Sequence, residues 1–438
     1  MTGDPRPTRR GVLAAVGATA LSGCSVPWNG AGDGETAVEL DGAAVAEVAS
    51  GEVPAVADPL PVSVADSSAD DSRERAESLL GTVPLPLEAD EMPNEAMREE
   101  LTDRVERARD LLREAAAAPG PRPRLERLAS ARGAARTVAA AWAFANDEAD
   151  REAVEEAARD VREDATAFRE EWEYVGVDPV RALVVSDVVE EWAGMARRSV
   201  EGAERRERPV TNAVTVGERA GDVEYGRATL ANARHVGERY RESLSEPRSM
   251  RSTFADARES LSATIESRMA DLPGAEAGRS ELVDADVEET VAGQALLDLH
   301  RGLPHDGATA SDDRLPEAVL DQVDALDRVV AFERLRDRVA DGERFTVESA
   351  DDVAALRSAA VDAIERARSE SADERLAQGL LWGAVEHLSY IDRQLARYDD
   401  TVEADHLTYD LAAYVVIEAT AAATPTACDE ALAALGVE

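Results

Sequence analysis

The sequence predicts an all-α protein, an array of about a dozen amphipathic helices forming a bundle or irregular α-solenoid. A short extended, β-like N-terminal segment precedes the array. Two observations carry this reading. Apolar residues recur at three- and four-residue spacings over most of the chain from about Ser68 onward. Clusters of Gly, Pro and Asp cut that pattern into helix-length pieces.

The elements follow in chain order. Between Ala37 and Asp66, short Val-bearing alternations are broken by Gly51, Pro54, Pro59 and Pro61. They predict one or two short strands or an extended strap. Leu101, Val105, Ala108, Leu112 and Ala115 then share one helix face. Leu128, Ala131, Ala135, Val138 and Trp142 form the next stripe, and Val154 to Val175 a third. Pro179 opens the following helix, with Asp178 as its cap. Later faces use Leu230, Ala233 and Tyr240, then Phe254, Leu261 and Ile265. Arg301 to Pro316 lacks periodicity and reads as a linker. Beyond it, Leu376, Leu380, Ala384, Leu388, Ile391, Leu395 and Tyr398 form the cleanest stripe. Leu407, Leu411 and Tyr414 line a penultimate helix, and Ala431, Leu432 and Leu435 a last one. The predicted organisation is a signal peptide at 1–23, a lipidated Cys24 with a flexible or extended tether over 24–67, and a helical domain at 68–300. A linker at 301–316 and a second helical domain at 317–438 complete it.

The N-terminus carries the most specific motifs. Arg6, Arg9 and Arg10 give it a positive start, and Gly11 to Leu21 is a short apolar run. That run is too short to span a bilayer but suits a signal-peptide core. Thr8-Arg9-Arg10-Gly11-Val12-Leu13 resembles a twin-arginine export signal. Leu21-Ser22-Gly23-Cys24 resembles a lipobox, with small residues before the thiol that takes the lipid. Taken in this order, the two motifs resemble the leader of twin-arginine-exported lipoproteins. The resemblance implies export in a folded state, cleavage before Cys24, and lipid anchoring to the outer face of the cell membrane. Membrane lipid is then a partner through Cys24. No later segment has eighteen uninterrupted apolar residues, so no spanning helix is expected. Cys428 is left without a partner and reads as a buried, inert thiol.

Charge narrows the setting. The 438 residues include 90 Asp and Glu against 48 basic residues, a net charge of −42, and every one of those basic residues is arginine. Nucleic acid is excluded as a general partner, because phosphate backbones attract the opposite sign. At about 1 M salt the Debye length is roughly 3 Å, so such self-repulsion is screened. The composition therefore fits a protein working in concentrated salt, and together with the leader the resemblance implies an exported lipoprotein of a halophilic archaeon.

Catalytic motifs are scarce. No P-loop, G-x-G-x-x-G, G-x-S-x-G, C-x-x-C or H-E-x-x-H string occurs. His235-Val-Gly-Glu238 and Glu403-Ala-Asp-His406 place a His and a Glu on one helix face, but a bundle metal site also needs a second such pair facing the first and further Glu, and among 90 acidic residues one Glu near a His is expected by chance. His300-Arg-Gly-Leu-Pro-His305 reads as a polar loop. The final hairpin gives the candidate groove. Antiparallel pairing about residue 401 sets Leu395 against Leu407, Ile391 against Leu411, and His387 near Tyr414. Tyr390 and His406 complete that groove. No catalytic residue, metal or cofactor is assigned. The expected function is a non-enzymatic interaction or scaffold role at the cell surface, with an unidentified surface protein as a further partner. The alternative is capture of a metal or small solute by the C-terminal hairpin.

Overall fold

Helix starts follow capping chemistry. Asp41, Asn94, Thr290, Ser349 and Asp373 each accept hydrogen bonds from first-turn amides of the helices they open. Asp178 accepts from the Arg181 amide at 3.1 Å, as expected for the cap before Pro179. The computed structural model describes residues 38–437 apart from 91, 93, 147–150, 206–212, 283–286 and 306–313. Arg9, Arg10 and Cys24 lie outside the described residues.

The protein is all-α, as the periodicity predicts. Its elements run β1 (Glu39–Leu40), α1 (Gly42–Ala49), α2 (Asp66–Leu80), α3 (Glu95–Ala116), α4 (Pro121–Ala145) and α5 (Arg151–Glu171). Next come β2 (Val175–Gly176), α6 (Pro179–Arg205), α7 (Ala213–Glu242), β3 (Arg248–Ser249), α8 (Arg251–Met269), α9 (Arg279–Leu282) and α10 (Val291–Arg301). The chain closes with α11 (Leu315–Ala340), α12 (Ala350–Glu370), α13 (Glu374–Leu395), β4 (Val402–Glu403), a 3-10 turn (Ala404–Leu407) and α14 (Thr408–Ala434).

Two hub helices organise the core. In the first group, α2 to α7, helices α4 and α7 make the most extensive contact. Small residues permit it. A Cβ added at Gly217 would stand 2.5 Å from the Thr137 carbonyl oxygen and 2.8 Å from Ala141 Cβ. Gly221 lies equally close to Gly133 and Thr137. In the second group, α14 packs against α8, α10, α11, α12 and α13. Apolar residues cover it on nearly all sides, which suits a helix enclosed by others. Among the described residues, Ala404–Ala434 is the one helical stretch long and apolar enough to cross a membrane, and most of it is buried inside the body.

Four expectations need correction. Over residues 38–66 the expected short strand and extended strap both occur, but the segment also holds a helix and packs into the body, so it is not a flexible tether. Strand β1 pairs antiparallel with β4, Glu39 opposite Glu403 and Leu40 opposite Val402. Helix α1 follows because Asp41 caps it and Val45 and Ala49, one turn apart, are both buried against α12 and α13. Residues 50–65 then run as a strap that joins both helix groups. The predicted linker at 301–316 instead connects α10 and α11, which pack on each other and on α14. Leu303 and Leu315 at its two ends are buried, and its middle lies outside the described residues. The third stripe stops at Glu171, and Val175 pairs with Ser249 in a short β-ladder. The last two predicted helices are one, α14, which runs through Pro425. Pro425 cannot donate to the Ala421 carbonyl, and such a proline distorts the turn before it. Arg334 stitches that turn from outside, donating to the Ala422 carbonyl and, at 2.7 Å, to Thr426 Oγ1.

The close approach of α4 and α7 makes a direct test. Gly221→Leu has no room beside Thr137 and should destabilise the fold by about 2 kcal/mol or more, read as a lowered urea midpoint. Leucine at the open Gly379, where an added Cβ meets nothing within 4 Å, should leave the midpoint nearly unchanged.

Candidate functional site

The final hairpin forms, with β4 and the 3-10 turn between its helices. Its register differs from expectation by about one helical turn. Tyr414 donates from its hydroxyl to Asp392 Oδ1 at 2.7 Å, so it stands opposite Asp392 instead of His387. The tight turn at Ala404–Leu407 takes up the residues that a continuous helix would have spent on pairing.

The four groove residues therefore lie at different depths. Tyr414 is fully buried, Tyr390 is 40 % exposed, and the His406 side chain is 69 % exposed beside Glu403 at 3.6 Å. His387 is half-buried, and burial holds its pKa below the ordinary value. Among the described residues these four do not touch one another by hydrogen bond, ion pair or ring contact. Among the described residues these contacts do not gather the four into one polar lining.

What the hairpin holds is a buried polar junction. Arg357 of α12 donates from Nε to Asp392 Oδ1 at 3.0 Å and from Nη2 to Asp392 Oδ2 at 2.8 Å. The same Nη2 reaches the Gly51 carbonyl at 2.7 Å and the Glu52 carbonyl at 3.2 Å. Hydrogen bonding to Asp392 pushes the Arg357 pKa up, and burial followed by the same carboxylate pushes that of Tyr414 up. The arginine thus stays ionised and the tyrosine stays neutral. Neither charge is free for chemistry, because each lone pair or proton that is accounted for points at a partner.

A second junction joins the two helix groups. Tyr174 packs on Phe254 of α8 and donates to Glu190 Oε1 of α6 at 2.9 Å. Glu190 is buried, and its Oε2 has no hydrogen-bond partner among the described residues. Desolvation raises its pKa to about 7, against the smaller opposing pull of the Tyr174 hydroxyl, Arg169 and Arg314.

The remaining candidates are structural. Cys428 is free and buried, and desolvation beside Asp327 pushes its thiol up to about 12, so little thiolate exists near neutral pH. His300 and His305 lie ring to ring with centroids 4.6 Å apart, but their Nε2 atoms face the Pro273 and His300 carbonyls. His235 Nε2 accepts from the Ala65 amide and so ties down the strap. Among the described residues, no three His, Cys, Asp or Glu side chains converge to hold a metal ion. Arg357, Asp392, Tyr174 and Glu190 were not singled out from sequence. Only Asp392 left a trace, as a charge beside Leu388, Ile391 and Leu395 in the cleanest stripe.

Comparison with known proteins gives two matches. Residues 67–246 match the family model described as Domain of unknown function (DUF8262), and residues 251–433 match that of Domain of unknown function (DUF8264). The two segments meet at β3, where the chain passes from the first helix group to the second. No curated protein and no solved structure matches the chain.

Two outcomes test these junctions. Asp392→Ala strands a buried guanidinium and should cost about 3–5 kcal/mol, whereas Tyr414→Phe removes one hydrogen bond and should cost about 1–2 kcal/mol, both measured by denaturant unfolding. Glu190 keeps its proton to higher pH when folded than its ordinary value of 4.5 allows when unfolded. Stability should therefore fall as pH rises from 4.5 toward 7 and level off above. Glu190→Gln should flatten that interval and raise stability at pH 8 by on the order of 1–3 kcal/mol, seen in melting curves taken across pH.

Proposed function

We propose that the protein is a lipid-anchored extracytoplasmic helical protein with a non-enzymatic interaction or scaffold role in a high-salt environment. The observation that carries the proposal is the order of the N-terminal motifs. Arg9 and Arg10 precede a short apolar run, and Leu21-Ser22-Gly23-Cys24 follows it directly. The described body supports this reading in two ways. It begins packing at Leu40, only sixteen residues beyond Cys24, so an anchor at that cysteine would hold a folded unit close to the bilayer. Its Arg357–Asp392–Tyr414 junction consumes its charges in mutual contacts, which is the chemistry of a rigid body more than of a reacting site.

The acidic surface fits the same setting. Exposed pairs such as Arg151 with Glu155 contribute little each, and concentrated salt weakens them further. Solubility then rests on hydration of the excess carboxylates.

The anchor is tested by intact-mass analysis and fractionation. Wild type should carry a lipid adduct on Cys24 and sediment with membranes, and Cys24→Ala should be released unlipidated. Arg9→Lys with Arg10→Lys should retain the unprocessed precursor inside the cell. An unmodified Cys24 in membrane-bound wild type would reject the proposal.

A further inference from the structure

Many arginines of this acidic chain pair with carboxylates, as Arg132 does with Glu224 and Arg375 with Asp373. The Arg181 guanidinium of α6 makes no ion pair among the described residues, although the Asp178 carboxylate accepts from its backbone amide. Its Nε donates to the Pro61 carbonyl at 3.2 Å and its Nη2 to Ser243 Oγ at 2.8 Å. Its guanidinium lies over the Tyr240 ring, 5.2 Å from the centroid. None of these partners neutralises it, and among the described residues its Nη1 has no hydrogen-bond partner. The side chain opens onto a cleft of about 340 Å³ between the strap and the helices α6 and α7. Arg239 is the other charged residue lining that cleft, and no carboxylate lines it. Ser63 adds an exposed hydroxyl.

We propose that this cleft binds a small organic molecule through a phosphate-type oxyanion head. Three arguments converge. Two guanidinium groups and no carboxylate line the cleft, so an anion meets less repulsion there than over the acidic surface. Guanidinium groups present planar donor forks that fit a tetrahedral oxyanion by paired hydrogen bonds, which a halide in concentrated salt cannot match. The volume lies at the lower end of small-molecule pockets, roughly 300–1,000 Å³, and exceeds what a bare anion fills.

The wall is also held in place before any ligand arrives. Asp58 accepts from the Leu60 amide at 2.9 Å and from the Arg122 amide at the start of α4. Leu60 and Val62 are buried, and the Ala65 amide is tied to His235 at 3.4 Å. A wall fixed in this way loses little conformational freedom on binding. One competitor is present. Glu242 accepts from Arg239 Nη1 at 2.6 Å, but both side chains are largely exposed, so the pair is weak and yields to a better oxyanion.

Calorimetric titration of the full-length protein in concentrated KCl tests the proposal, with phenyl phosphate and inorganic phosphate as probes. Phenyl phosphate should bind saturably and about tenfold more tightly than inorganic phosphate. Arg239→Gln, at an exposed position, should keep the melting temperature and weaken phenyl phosphate about tenfold. Glu242→Gln removes the competing carboxylate and should tighten it severalfold, a gain that damage to the fold would not produce. The proposal is overturned by no saturable binding, by equal affinity for the two probes, by unchanged affinity in Arg239→Gln, or by failure of Glu242→Gln to tighten phenyl phosphate.

Discussion

The Arg357 guanidinium is the constraint on which the second helix group and its link to the first depend. One planar cation holds the carboxylate of α13 and, through it, the Tyr414 hydroxyl of α14. Its remaining donor capacity fixes the chain at Gly51 and Glu52. Four segments distant in sequence therefore meet at a single side chain. Buried ion pairs seldom add net stability over an apolar replacement, because desolvation offsets the attraction. Their value lies in specificity, since a misplaced partner leaves a charge stranded. Alanine-rich faces need such a device. Alanine presents little shape, so alanine-lined helices can slide by a turn at small cost, and Arg357 with Asp392 accepts one register.

From Arg357 the strap carries that specification into the first helix group. Ala55 accepts from Arg368, Asp58 caps the start of α4, Pro61 accepts from Arg181, and the Ala65 amide meets His235 of α7. A segment without regular structure of its own thus touches α12, α4, α6 and α7 in turn. Its backbone polar groups find partners on other elements, which is how an irregular stretch remains buried without penalty. The Arg375–Asp178 pair, at 2.6 Å, and the packing of Tyr174 on Phe254 also cross between the two groups. The two groups behave as one body because several polar ties cross between them, while each group keeps its own hub helix.

This division explains which parts of the structure were legible in the sequence. Helix identity was legible, because it depends on three- and four-residue spacings and on caps such as Asp178, all local. Packing partners were not. Gly51 and Arg357 lie hundreds of residues apart, and no spacing rule links them. The hairpin shows the boundary between the two kinds of information. Its helices were placed correctly, but the register moved by a turn because Ala404–Leu407 coils tightly, and that shift took Tyr414 from His387 to Asp392. Helix α1, within the expected extended segment, was missed for a related reason. Val45 and Ala49 suit a strand alternation as well as a helical turn, and only the surface offered by α12 and α13 decides between them. Pro425 misled in the opposite sense, since the local rule ends a helix there and a side chain from another element, Arg334, sustains it.

Under the proposed anchoring at Cys24, the strap would carry load. Fourteen residues separate Cys24 from Val38, a reach of at most about 50 Å when fully extended. Any pull from the bilayer enters the body at β1, whose partner β4 belongs to the C-terminal hairpin. A two-residue ladder resists little by itself. Directly behind it, α1 is buried on α12 and α13, and the next turn of chain is held by Arg357. Load is thus passed within a few residues from a weak ladder to a buried ion pair and three packed helices. The cleft at Arg181 lies further along the same strap, beyond the Asp58 attachment to α4, so its wall is insulated from that load. Along the chain the order is thus a weak ladder, then the Arg357 clamp, then the strap segment that walls the cleft, which is the order that the proposed tether would require of a body that keeps one face fixed.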